Sequence, residues 1–201
     1  MSATGSPHET ALFPLHTVLF PGGLLPLRVF EPRYMEMVTA CLREDAPFGV
    51  CLISEGKEVG APAVPHPVGS LARIVQWDMQ QLGVLNITVR GEQRFRVLER
   101  RVQRDGLTRA EVEILAPEDD AAAIPVELAA CARLLKAVLD EGAGARVESP
   151  FRLESCAWVS GRLTELLPLP LALKQRLLEI DHSLARLDAL HRILRELKLT
   201  P

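Results

Sequence analysis

Apolar positions change their period partway along this chain. Up to about Pro117 they come in short runs or alternate with polar residues, the two-residue repeat of strands. Beyond it they recur three and four residues apart, the repeat of amphipathic helices. The opening stretch Leu12–Arg33, LFPLHTVLFPGGLLPLRVFEPR, sets prolines between short apolar runs. Proline lacks a backbone donor, so it belongs at strand starts, edges or bulges. Pro21-Gly22-Gly23 is a turn signal, and strands are predicted on either side of it, over Leu12–Leu15 and Leu24–Val29. Glu31-Pro32 then opens a helix over Pro32–Glu44, with Tyr34, Met35, Val38, Cys41 and Leu42 on its buried face.

Phe48–Ser54 reads as a strand buried on both faces, and the Gly- and Pro-rich stretch Glu55–Pro67 as a loop. Val68–Trp77 and Leu82–Arg90 are further strands, joined by a short connection over Asp78–Gln81. A hairpin follows, in which Phe95 and Val97 alternate with Arg94 and Arg96 as far as Val102. Asp105-Gly106 supplies its turn, and Ala110, Val112 and Ile114 return against Arg109, Glu111 and Glu113. At least six strands and one early helix predict a small, partly open barrel or coiled sheet.

Pro117-Glu118-Asp119-Asp120 marks the boundary, dividing the chain into a β-rich domain, residues 1–120, and a helical one, residues 121–201. Ile124-Pro125 starts a helix carrying Leu128, Cys131, Leu135 and Val138, stopped by Gly142 and Gly144. Ser149-Pro150 caps and opens the next, with Leu153, Cys156, Val159 and Leu163 on one face. Pro168 and Pro170 break it, Leu171–Ile180 forms a third, and Asp181 or Ser183 caps a last helix through Leu187, Leu190 and Leu194. Four such helices with short links predict a C-terminal helical bundle, and the fold class is α+β. The apolar stripes need a partner, so the two parts are expected to pack and unfold together.

Composition excludes more than it assigns. At 201 residues, 48% hydrophobic and 24% charged, the chain has an ordinary globular make-up. A net charge of −3 gives no general attraction to phosphates or an anionic membrane. No apolar run approaches the ~20 residues that span a bilayer. The lead MSATGSPHET has neither a basic nor an apolar signal region and reads as a short polar tail. Cys41, Cys51, Cys131 and Cys156 are widely spaced within apolar segments, as buried free thiols are, and suggest a cytoplasmic location.

Catalytic chemistry finds no footing. There is no G-x-x-x-x-G-K-[ST] phosphate loop, and Gly142-Ala143-Gly144 follows a helix instead of opening one. His8, His16, His66, His182 and His191 lack metal-ligand spacing. No G-x-S-x-G elbow occurs, and Ser160-Gly161 reads as small residues permitting close helix approach. The Glu118-Asp119-Asp120 run reads as a solvated boundary. The expectation is a chain with no catalytic residue, no metal and no cofactor.

Two surfaces remain. Phe20, Leu24 and Leu25 near the Pro-Gly-Gly turn, and Trp77 and Met79 at a strand end, are apolar where turns normally place polar groups. Exposed together they would form a polypeptide-binding patch; the alternative is that they fold back into the core. The second surface is electrostatic. Residues 90–109 hold seven arginines against Glu92, Glu99 and Asp105, and Arg94, Arg96 and Arg101 could track phosphates. Cross-strand pairing with Glu111 and Glu113 would neutralise that face, and no aromatics interleave to stack bases.

The proline-punctuated opening resembles the Lon N-terminal domain family. So does Val68-Gly69-Ser70-Leu71-Ala72-Arg73-Ile74, followed by Val89-Arg90-Gly91-Glu92-Gln93-Arg94-Phe95-Arg96-Val97. A third block runs through Gly161-Arg162-Leu163, Leu167-Pro168-Leu169 and Lys174-Gln175-Arg176-Leu177-Leu178-Glu179 to Arg186-Leu187. The three blocks, in order, cover about Leu12 to Lys198. The resemblance implies a PUA-like barrel followed by helices and no catalytic machinery. It also implies a role in binding unfolded polypeptides or a protein partner. Glu31-Pro32-Arg33-Tyr34 looks more like free-standing and adaptor members than the full protease, which suggests a protein-quality-control adaptor without ATPase and peptidase domains. PUA-like folds elsewhere bind RNA, so an RNA-binding role for the Arg90–Arg109 hairpin stands as the alternative, with nucleic acid the less expected partner. Oligomeric state is left open.

Overall fold

Turn chemistry near the N-terminus decides where the first strands begin and end. In the computed structural model residues 7–118 and 123–199 are described, and the chain divides into two compact units, Met1–Ala116 and Pro117–Pro201. Residues 1–6 of the polar lead, and Asp119-Asp120 of the acidic run, lie outside the described residues.

The first unit contains β1 (His8–Leu15), β2 (Leu24–Val29), α1 (Pro32–Glu44), β3 (Phe48–Glu55), β4 (Val64–Pro65), β5 (Val68–Gln81), β6 (Val84–Val102) and β7 (Thr108–Ile114). One seven-stranded, largely antiparallel sheet results. Its order runs β1-β7-β6-β5-β3, and a parallel ladder from Leu12–Leu15 to Gly49–Leu52 returns the path to β1. β2 is added to β6 alone, and the two-residue β4 to β3.

Two expected breaks are absent. Asp78–Gln81 is not a connection but the last part of β5, and the turn is Leu82-Gly83, with Gly83 at φ 82°. Register shifts at Ile74/Gln76 and Asp78/Gln81 let β5 continue beside β6 with extra residues accommodated. The two strands expected over Leu82–Arg90 and 94–102 are one continuous β6. Gly91 within it is not a breaker. A Cβ there would lie 2.2 Å from the Phe20 carbonyl oxygen, so the glycine permits close backbone approach. The Gly91 N–H donates to Gly23 O at 2.8 Å, and Gly22 N–H to Gly91 O at 2.7 Å.

The core of this unit follows the alternation of its strands. Leu85, Ile87 and Val89 of β6 point inward, and Phe13 stacks on Tyr34 of α1 with ring centroids 4.1 Å apart. The helix opens with Pro32 at its first position and closes at Asp45, whose φ of 47° is left-handed. A second cluster joins Leu12, Cys51, Leu71, Phe95 and Val112.

The second unit holds a 3-10 turn (Val126–Leu128), α2 (Ala129–Asp140), a second such turn (Ala143–Arg146), α3 (Cys156–Leu166), α4 (Leu171–Leu178) and α5 (Ser183–Glu196). The second long helix does not begin at Ser149-Pro150. Ser155 caps it, accepting from Trp158 N–H, and the fully buried Cys156, Val159 and Leu163 follow. His182, not Asp181 or Ser183, is the N-cap of α5, without a side-chain bond. Ser160 of α3 is fully buried and meets α5, accepting from Arg186 Nε at 2.9 Å. The same guanidinium grips the Glu118 carboxylate through both terminal nitrogens. Glu118 is therefore not part of a solvated run; its side chain is 9% exposed. Among the described residues no helix is long and apolar enough to cross a membrane.

Candidate functional site

Three adjacent strands, β2, β6 and β5, present one face away from the core. Ile87 points inward, whereas Pro26, Arg28, Asn86, Gln76 and Asp78 are exposed. An open groove of about 430 Å³ runs between Pro26–Arg28, Asn86–Thr88 and Gln76–Asp78. Trp77, 58% exposed, forms part of its wall. Met79 is 46% exposed farther along β5, and Leu82 at the hairpin tip is 94% exposed. This hairpin thus carries several large apolar side chains in water, Val75 among them, an arrangement that marks interaction surfaces.

On the other side of β2 lies a cleft of about 240 Å³, lined by Phe13, Leu15, Phe30, Tyr34, Val59 and their neighbours. Phe30 and Val59 are exposed at its mouth. Its rim is tied down by the loop after β3. Glu58 Oε1 accepts from His16 N–H at 2.5 Å, and Gly60 N–H reaches Glu31 Oε2 at 3.4 Å. Glu31 is balanced by Arg33, 3.0 Å away, whose guanidinium lies 4.6 Å from the Tyr34 ring centroid. Groove and cleft both touch Pro26, Leu27 and Arg28, so β2 is the ridge between them.

The apolar residues singled out in the sequence are only partly brought together. Trp77 and Met79 are exposed as a binding patch requires. Phe20 is not: it is fully buried, because the Pro-Gly-Gly turn folds its backbone against Gly91. Leu24 is half-buried, and Leu25 packs partly into the core beneath β2. Sequence reasoning missed the cleft altogether. Its floor comes from β1 and α1, and Val59 comes from a stretch read only as loop. Phe30, an aromatic directly before a helix start, was the available signal.

The arginine hairpin does not form one basic stripe. Arg94 is 3% exposed and shares no solvated face with Arg96. Its register partner Ser70 is fully buried and donates to Leu19 O at 2.6 Å, so the chain through Leu19 covers that face. Arg96 lies opposite Glu113. Arg101 and Arg109 are drawn to a carboxylate on another strand, donating to Glu9 at 2.6 and 3.0 Å. Glu111 lies opposite Glu99 instead of an arginine. The Arg109 hydrogen bond, chiefly, holds the Glu9 carboxyl below its usual range.

Among the described residues no three His, Cys, Asp or Glu side chains converge as metal ligands. All four cysteines are free. Burial pushes the Cys51 thiol up to about 12 and Cys131 to about 11, which leaves neither a nucleophile at neutral pH.

Comparison with known proteins places the chain in a family. A Lon N-terminal domain protein from Xanthomonas campestris superposes with a TM-score of 0.77 and 38% identity, covering 91% of this chain and 96% of that one. The N-terminal domain of a Mycobacterium avium complex Lon protease, at 19% identity and a TM-score of 0.58, shares the fold. Lon protease of Anaeromyxobacter dehalogenans is 30% identical over 90% of this chain and 22% of its own length. Protein cereblon of Gallus gallus is 38% identical over 49% of this chain and 22% of its own. The chain thus spans about a fifth of these curated relatives. Residues 9–196 match the ATP-dependent protease La (LON) substrate-binding domain, and the chain belongs to that family.

Proposed function

We propose that this chain is a non-catalytic recognition module that binds unfolded or extended polypeptides and serves as an adaptor in cytoplasmic protein quality control. Membership of a family described as substrate-binding supports recognition of protein substrates. The observation that carries the reading to a surface is the exposure of Trp77 and Met79 beside the groove on β2, β5 and β6. Tryptophan offers large contact area at low entropy cost, and methionine adapts its shape, which suits a surface that samples many sequences. The non-catalytic reading rests on the family and on a sequence without a phosphate loop or nucleophile elbow. The widely spaced free thiols favour a reducing compartment. We read the β-unit as PUA-like, supported by its returning ring of ladders, and the four α-helices after Pro117 as a bundle.

The test is a titration of a fluorescent unfolded peptide, with an RNA oligomer as comparator, at low and high salt. Peptide binding of micromolar affinity or weaker, nearly independent of salt and lost in Trp77→Ala/Met79→Ser, is the expected result. RNA binding with a steep salt slope and no peptide binding would overturn it.

A further inference from the structure

β2 is an edge strand, and the hydrogen-bond parity of its ladder is fixed. Gly91 N–H donates to Gly23 O, and the register continues Leu24 opposite Arg90 through Val29 opposite Leu85. In an antiparallel pair, bonded and non-bonded positions alternate. Leu25, Leu27 and Val29 therefore exchange bonds with β6, while Leu24, Pro26 and Arg28 turn their main-chain groups outward. Among the described residues no strand pairs with that outer side. The edge offers N–H and C=O at Leu24 and Arg28, and at Pro26 a C=O alone. Groove and cleft lie on the two sides of this strand and share Pro26–Arg28.

We propose that the polypeptide bound here lies as an extended strand added antiparallel to the free edge of β2, alternate side chains entering the groove and the cleft. This rests on the polypeptide-binding reading above and names how the chain is held. Main-chain bonds at an edge are independent of side-chain identity, and pockets on both sides select apolar residues at two-residue spacing. Charge narrows the occupant. Glu31, Glu58 and Asp78 line the groove and cleft against Arg28, a formally acidic lining even with Arg33 paired to Glu31. The complementary segment is apolar with one Lys or Arg, and a polyanion is disfavoured. Pro26 sets the strength. Opposite it, the added strand donates one bond and receives none, which limits affinity and guards the edge against indiscriminate pairing.

The experiment uses the full chain and a short fluorescent peptide of alternating Leu and Val with one Lys. Each peptide N–H is methylated in turn, and amide exchange of the protein is followed with and without the unmodified peptide. Expected are roughly tenfold losses at alternate methylated positions and little change between them, as one bond to each facing residue is removed. The Leu24 and Arg28 amides should exchange more slowly when peptide is bound, whereas those of Leu25, Leu27 and Val29 are protected in either state. Replacing the peptide Lys with Glu should weaken binding, and Pro26→Ala, which restores an outward donor, should tighten it several-fold. Peptide binding without alternation, or without added protection at Leu24 and Arg28, would overturn the strand-addition inference while leaving polypeptide recognition intact. No peptide binding would overturn both.

Discussion

Arg186 and Glu118 form a two-pronged ion pair inside the second unit, between the first residues after the boundary and α5. Arg186 is fully buried, and its Nε is also taken up by Ser160. A charge so placed is tolerated only while its partner and hydrogen bonds remain. Glu118→Ala should therefore cost about 3–5 kcal/mol by stranding the guanidinium. Glu118→Leu/Arg186→Met should recover much of that loss. Urea unfolding of the two variants against the parent checks both, and an equal loss in each would show that packing, not charge, holds this joint.

Gly91→Ala should be among the most damaging single-methyl additions. The new Cβ would meet the Phe20 carbonyl oxygen at 2.2 Å, a backbone atom that cannot swing away. Overpacking of this kind costs about 1–3 kcal/mol or more. The expected outcome is a lowered urea midpoint together with faster exchange of the Gly22 and Gly91 amides.

Side-chain truncations on the β-unit should separate binding from stability. Trp77→Ala and Met79→Ser remove exposed groups and should leave the unfolding midpoint within about 0.5 kcal/mol of the parent while weakening peptide binding. Phe20→Ala should do the reverse, costing about 3–5 kcal/mol because that ring is fully buried. Paired calorimetry and peptide titration read the two effects independently.

Alkaline pH should destabilise the native state through its thiols. Burial raises the native values of Cys51 and Cys131 to about 12 and about 11, from about 9 for an ordinary thiol. The native state thus keeps protons that the unfolded chain releases, and each thiol lowers stability as pH rises above 9 toward its native value. The slope is about 1.4 kcal/mol per pH unit for each group in that window. Cys51→Ala should flatten the profile, and alkylation at pH 8 should leave Cys51 and Cys131 untouched until the chain unfolds.

The elements legible in the sequence were those whose causes are local. Leu24–Val29 and Pro32–Glu44 have the bounds expected from Pro-Gly-Gly and Glu31-Pro32, because proline and glycine constrain their own dihedrals. Family membership was likewise legible, in three blocks spread along the chain. Exposure of Trp77 and Met79 could be posed as a question by their place at a strand end.

What remained hidden depended on partners distant in sequence. Gly91 looks like a strand breaker until Phe20 lies across it, and Arg94 like a surface arginine until the chain through Leu19 covers Ser70 beside it. Ser149 and Ser155 are equally good caps by residue type, and the helix begins where Cys156, Val159 and Leu163 can be buried. The ridge at β2 has the same origin. Periodicity identified a strand, but only its pairing with β6 on one side, and with no described strand on the other, made it an edge. Dihedral preference and apolar period are written residue by residue, whereas burial and strand order arise from long-range closure, which no local pattern encodes.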